Sequence, residues 1–371
     1  MDQRPHRIVC LGDSITWAGH WVDLLSALFA VRDPSTPFEV LNLGLPSETV
    51  SGLSEDGHAG GAFPRPVLRE RLGRVLERTR PDTVIACYGM NDGIYLPFDA
   101  ARFAAYRSGI EHLERAVHAA GARFHLLTPP VFDQRRGAPG ASFDYDTVLD
   151  RYGRWLRTRR GARAVDVRTA IQRHLANRRR TDPGAHLAPD GVHMLPFGHW
   201  FVAEGAFRAL NLPPVPAAPE LSADGTASRV AIPLPCPIDP AWDPAWVRLE
   251  RIAERWATAP VRASDAADGR YVLRSGGRTL GAFDGAALRR GVDLAGIPGL
   301  PLRTRAAAVL AATAERQHLL RDAWLAAVGH LRPGMPAGVP ISRANEEGRR
   351  RASDIERLAE PIVVDLSLHR V

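Results

Sequence analysis

Lysine is absent from this chain: all 48 basic residues are arginine. Arginine and alanine codons are rich in G and C, so the bias reads as a property of the coding sequence. The net charge of +7 and an isoelectric point near 10.0 raise the question of a nucleic-acid partner. The arginines, however, are scattered along helical stretches among Asp and Glu. The short runs at 178–180 and 349–351 carry no interleaved aromatics, so no nucleic-acid partner is expected. Cysteine is scarce. Cys10, Cys87 and Cys236 form neither a metal spacing nor an even disulfide set. Cys10 and Cys87 fall in apolar runs, where a thiol behaves as a small apolar side chain. No His/Cys/Asp/Glu group has ligand spacing, so neither metal nor cofactor is expected. No run approaches the roughly 18 apolar residues of a membrane span. No apolar stretch of secretory type precedes the first motif, and a cytoplasmic location is the expectation.

What is present is enough apolar residue, 45% of 371, for a sizeable core and for two domains. The 30 prolines and 33 glycines mark turns rather than disorder, because apolar runs recur throughout. Residues 7–11, 38–43, 82–88, 124–128 and 164–167 read as strands. Helical patterns fall at 22–31, 67–79, 99–120, 145–159, 168–178 and 197–210. Short apolar strands alternating with longer helices predict a parallel sheet covered on both faces. Such sheets bind ligands at the carboxyl ends of their strands. A proline-rich link at 213–220 divides an α/β domain, 1–212, from an extension, 221–371. The extension reads as mostly helical, with a β-hairpin at 270–283 turning on Ser275-Gly276-Gly277. It adds a long Ala-rich helix at 304–328 whose Leu320, Trp324 and Val328 share a face, and a terminal strand at 362–368.

Four motifs carry chemistry: Gly12-Asp13-Ser14-Ile15-Thr16, Asn42-Leu43-Gly44, Gly89-Met90-Asn91-Asp92 and Asp190-Gly191-Val192-His193. Serine is a weak nucleophile that needs an adjacent base. His193 is the candidate base for Ser14, and Asp190 can hold its other ring nitrogen. An oxyanion requires fixed donors, which the N–H groups of Ser14 and Gly44 and the Asn91 amide can supply. Each piece also has a plain reading. Ser14 could cap a helix, Asp190-Gly191 and Asn91-Asp92-Gly93 are good turns, and a lone histidine is usually structural. Four such coincidences in this order favour one shared site. Asp13, Trp17, His20, His58 and Asp92 are candidate pocket residues, and Arg65 could touch substrate; for Trp17 and His20, helix-start packing is the competing reading. His125, Trp200 and Phe201 read as core.

This motif set resembles the SGNH hydrolases, the GDSL esterase/lipase superfamily. The likeness runs over roughly residues 7–210, with Ile15 in place of the usual Leu. It implies a flavodoxin-like three-layer α/β/α fold with a five-stranded parallel sheet and a serine esterase mechanism. It further implies Ser14, Asp190 and His193 as triad, and Ser14, Gly44 and Asn91 as oxyanion hole. Ser47 stands where many members carry a second glycine, which puts the loop's shape in question. The segment Gly291-Val292-Asp293-Leu294-Ala295 and the long Ala/Arg helix are similar to an extension in some bacterial members. The expected activity is cleavage of a small-molecule carboxylic ester, short-acyl or acetyl, through an acyl-serine intermediate. Rival readings are a lysophospholipase, thioesterase or acyltransferase of the same fold, or a non-catalytic carbohydrate- or partner-binding module. The extension could be a lid, an arm for homodimerisation, or packing.

Overall fold

In the computed structural model, residues 4–32, 38–211, 217–329 and 338–371 are described. Half of the proline-rich link, 213–216, lies outside them. The chain forms two compact units, and they are not consecutive segments. The first comprises Met1–Ser26, Thr36–Asn211 and Ala314–Arg351; the second comprises Ala27–Ser35, Leu212–Thr313 and Ala352–Val371.

The first unit is organised by its apolar runs. Ile8, Val9, Cys10 and Leu11 are buried in strand β1 (His6–Gly12); this run can be apolar without alternation because neither sheet face meets water there. Around it lie β2 (Phe38–Asn42), β3 (Thr83–Cys87), β4 (Arg123–Leu127) and β5 (Arg163–Val165). All are parallel, in the order β2-β1-β3-β4-β5. Gly12 pairs with Cys87, so β1 and β3 end side by side. Helix α1 (Ser14–Trp17) follows β1, and α2 (His20–Arg32) follows α1. Helix α3 (Leu68–Thr79) buries Leu68, Leu72, Val75 and Leu76 on one stripe. Helix α4 (Ala100–Ala119) does the same with Tyr106, Ile110, Leu113 and Val117, and Asp99 caps it by accepting the Arg102 N–H. Trp200 and Phe201 are buried in the helix Gly198–Ala209. His125 sits mid-strand, where burial pushes its imidazole down to about 4. The five-stranded sheet of the predicted α/β/α fold is therefore present. β5 stops short of the expected residue 167 because the Asp166 side chain turns to accept the Thr169 N–H, starting the next helix.

In the second unit, the hairpin Arg270–Ser275/Arg278–Asp284 turns on Gly276 and Gly277, both at positive φ. It is half of a larger element. The terminal strand, Ile362–Arg370, lies between the hairpin and Ser228–Ile232 in a four-stranded antiparallel sheet. The strand Ser228–Ile232 was not expected from sequence; five residues with only Val230 and Ile232 buried give a weak alternation. Helical residues still outnumber strand residues across 221–371, as the helices Leu302–Val328 and Ile341–Ala359 dominate it. Leu320, Trp324 and Val328 are buried, and this part of their helix belongs to the first unit. Among the described residues, no helix is long and apolar enough to cross a membrane.

Candidate active site

The elbow after β1 leaves no space for a side chain at Gly12, where a Cβ would collide with Thr16. Asp13 then caps α1, its Oδ1 accepting the Ile15 N–H at 3.0 Å. Ser14 becomes the first residue of the helix. Gly44 follows β2 and has a steric role beside its candidacy as an N–H donor. A Cβ there would strike the Trp17 nitrogen and Thr16, so glycine lets the loop lie against α1. Asn42 stitches the two together: its Nδ2 donates to Thr16 O at 2.8 Å, and its Oδ1 accepts the Gly44 N–H at 3.0 Å. The Gly44 N–H could therefore reach a substrate oxygen only by sharing that bond.

The fourth motif is a tight turn. Gly191 has φ 83°, and a Cβ there would collide with Gly137. Asp190 Oδ1 accepts the N–H groups of Val192 and His193 at 2.9 and 2.7 Å. Its Oδ2 lies 2.6 Å from His193 Nδ1, and His193 Nε2 lies 2.8 Å from Ser14 Oγ. A carboxylate can only accept, so Nδ1 carries the proton and Nε2 is free to accept from the serine hydroxyl. Partial burial pushes the Asp190 carboxyl up, but the His193 and Val192 hydrogen bonds outweigh it and hold the group below its ordinary value. Both side chains are about half exposed, 54% for His193 and 55% for Asp190, so the site opens to solvent. The structure thus brings Ser14, His193 and Asp190 into one hydrogen-bonded line. Gly44 and Asn91 follow β2 and β3, the two strands that flank β1, at the same end of the sheet.

Asn91 is buried, with Nδ2 donating to Glu48 O at 3.3 Å and Oδ1 accepting the Tyr95 hydroxyl at 3.0 Å. Beneath it lies a charged pair that sequence reasoning missed. Arg71 donates twice to the Glu48 carboxylate, at 2.6 and 2.7 Å, and once to Leu43 O at 2.7 Å. The Tyr88 hydroxyl donates to the same carboxylate at 2.6 Å. Both charged side chains are fully buried. Glu48 follows Ser47, whose φ of 64° is the left-handed conformation a glycine would favour. The loop therefore keeps a glycine-like turn with a serine in it.

The other candidates take different places. Asp13 and Asp92 are buried carboxyls rather than open pocket walls. Burial pushes Asp13 up to about 7, against the Ile15 N–H bond. Burial likewise pushes Asp92 up to about 6, although it accepts the Val50 and Ser51 N–H groups at 2.9 and 2.8 Å. Trp17 lies under the Arg321 guanidinium, 4.6 Å from the ring centre, and Arg321 Nη1 donates to Trp17 O at 2.9 Å. His20 is exposed, with its ring edge against His199 at 5.0 Å. His58 contacts Glu55 at 3.2 Å, and Arg65 donates to Glu55 twice at 2.6 Å while its guanidinium covers Tyr95. Among the described residues, no group of three or more His, Cys, Asp or Glu could hold a metal ion.

The sequence profile of the GDSL-like lipase/acylhydrolase family matches residues 10–201. Among solved structures, a gut microbial diltiazem-metabolizing enzyme superposes with a TM-score of 0.74 at 17% identity, over 100% of this chain and 99% of its own. That likeness extends the shared fold to the whole chain, extension included. An acetylxylan esterase from Geobacillus stearothermophilus matches at 20% identity and a TM-score of 0.43, over 57% of this chain and 98% of its own. No curated protein matches the chain. By the profile match over more than half its length, the chain belongs to the GDSL-like lipase/acylhydrolase family.

Proposed function

We propose that this family member hydrolyses a carboxylic ester of a small molecule through an acyl-serine intermediate. Ser14 is the nucleophile, His193 the base, and Asp190 the carboxylate that orients it. One observation carries the reading: the continuous line from Asp190 Oδ2 through His193 to Ser14 Oγ, with separations of 2.6 and 2.8 Å. As Ser14 Oγ attacks the ester carbonyl carbon, its proton passes to His193 Nε2, and Asp190 stabilises the imidazolium. Negative charge builds on the carbonyl oxygen. The Ser14 N–H at the start of α1 and the second hydrogen of Asn91 Nδ2 are the donors for it, with Gly44 sharing its bond to Asn42. Collapse of the tetrahedral intermediate breaks the bond to the alcohol, which leaves with the proton from Nε2. Water, deprotonated by the same nitrogen, attacks the acyl-serine; the acid departs and Ser14 regains its proton. A short acyl group, acetyl first, is the substrate class put to the test.

The reading is tested by labelling with a fluorophosphonate probe and mapping the modified peptide. The expected result is one adduct on the Ser14 peptide, abolished by Ser14→Ala. A folded wild-type protein that takes no label, or a Ser14→Ala variant that labels equally, would overturn it. A panel of acetyl, short-acyl and lysolipid esters then ranks the acyl groups. Diltiazem joins the panel because a protein of the same fold is named for metabolising it.

A further inference from the structure

A carboxamide flipped by 180° keeps its shape but presents oxygen where nitrogen stood. Flipped, Asn91 would turn a negative oxygen toward a developing oxyanion and repel it, so something must hold the side chain one way round. The Glu48 carbonyl, which can only accept, draws Nδ2 toward itself at 3.3 Å. On the opposite side the Tyr95 hydroxyl donates to Oδ1 at 3.0 Å. Burial pushes the Tyr95 phenol well above its ordinary value, so it stays a protonated donor at every working pH.

The phenol is itself firmly placed. Its ring packs against Tyr145 at 5.0 Å and Phe132 at 5.9 Å, and the Arg65 guanidinium lies 5.6 Å from its centre. Arg65 is in turn fixed by its two bonds to Glu55. The backbone that delivers Tyr95 is unusual. Ile94 and Tyr95 have φ of 54° and 53°, two consecutive side-chain-bearing residues in the left-handed region. A β-branched residue there is a genuine outlier, and such strain persists only where its surroundings enforce it. Here it sits in the turn that carries the phenol back to Asn91, four residues earlier.

We infer that Tyr95 is a positioning residue: its hydroxyl locks the Asn91 carboxamide in the orientation that leaves one Nδ2 hydrogen for the substrate oxyanion. This rests on the ester-hydrolase reading above. The test is a double-mutant cycle on the full chain, with p-nitrophenyl acetate as probe substrate. Tyr95→Phe keeps the ring and its packing; circular dichroism and the melting temperature check the fold. Asn91→Ala should lower kcat by about 10²–10³. Tyr95→Phe should lower kcat about tenfold with KM unchanged, the effect of one lost hydrogen bond on the transition state. In the Asn91→Ala background, Tyr95→Phe should add nothing. A purely structural tyrosine would instead be additive. Wild-type kcat in Tyr95→Phe, or the same tenfold loss in both backgrounds, would overturn the role while leaving Asn91 as a donor. Wild-type turnover by Asn91→Ala would remove the donor reading itself, a result distinct from either.

Discussion

The Glu48–Arg71 pair should be the most sensitive point beneath the site, and its consequences can be worked through. Both side chains are fully shielded from water and joined by two hydrogen bonds, with Leu43 O and the Tyr88 hydroxyl as further partners. Burial alone would lower the Arg71 guanidinium; the charge and hydrogen bonds of Glu48 overturn that and raise it. The arginine therefore stays charged, and removing the carboxylate charge strands it. Breaking such a pair on one side costs about 3–5 kcal/mol. Glu48→Gln keeps the volume and an acceptor for Tyr88, so its loss reports the charge. At about 2–4 °C per kcal/mol for a unit of this size, the melting temperature should fall by roughly 6–20 °C. Arg71→Met should do comparable damage by leaving the carboxylate unpaired. The double variant Glu48→Gln/Arg71→Met buries no charge and should recover about 2–3 kcal/mol of the summed loss. Urea unfolding of the four proteins at one pH gives the cycle. Additive losses, or a Glu48→Gln variant within about 0.5 kcal/mol of wild type, would refute the claim that a buried charge pair holds this loop.

Two further outcomes follow from the buried carboxyl under the site and from the helix Leu302–Val328. Asp92 keeps its proton in the folded state up to about pH 6, whereas an unfolded aspartate loses it near the ordinary 3.8. Folded protein thus binds more protons in that window, and Asp92 makes stability fall as pH rises, by about 1–2 kcal/mol between pH 5 and 8. Asp92→Asn keeps an acceptor for the Val50 and Ser51 N–H groups, so it should flatten that slope; urea midpoints at the two pH values check it, and an unchanged slope would count against the buried charge. Arg321→Ala removes both the cover over Trp17 and the bond to Trp17 O. A loss of about 2 kcal/mol is expected from a charged hydrogen bond and a cation–π contact together, and calorimetry showing no loss would mean that helix does not support α1.

The parts of the fold that could be read in the sequence share a cause. Ile8–Leu11 and Val84–Cys87 lie in strands shielded on both faces, so apolar runs mark them directly. The catalytic candidates follow those runs because chemistry in a parallel sheet collects where strands end. What stayed hidden were polar residues with buried destinations. Arg71 sits in the sequence Leu-Arg-Glu-Arg-Leu, which reads as the wet face of a helix, and Glu48 lies in a loop rich in Gly and Ser. Twenty-three residues separate them, and no local period connects them; only the fold does. Tyr95 was hidden differently. A left-handed conformation at Ile94 runs against that residue's own preference, so propensity points away from the geometry found. Ser47 did leave a trace, because the resemblance read from the motifs put the shape of its loop in question. Its positive φ is the left-handed conformation that a glycine favours. A loop can hold that shape against its own preference only if something beyond it is fixed. The next residue, Glu48, is fixed by Arg71 and Tyr88 and offers its carbonyl to Asn91. The left-handed turn at Ser47 and the missed ion pair are therefore two sides of one feature: the buried charge pair holds a turn that a glycine would have made easy.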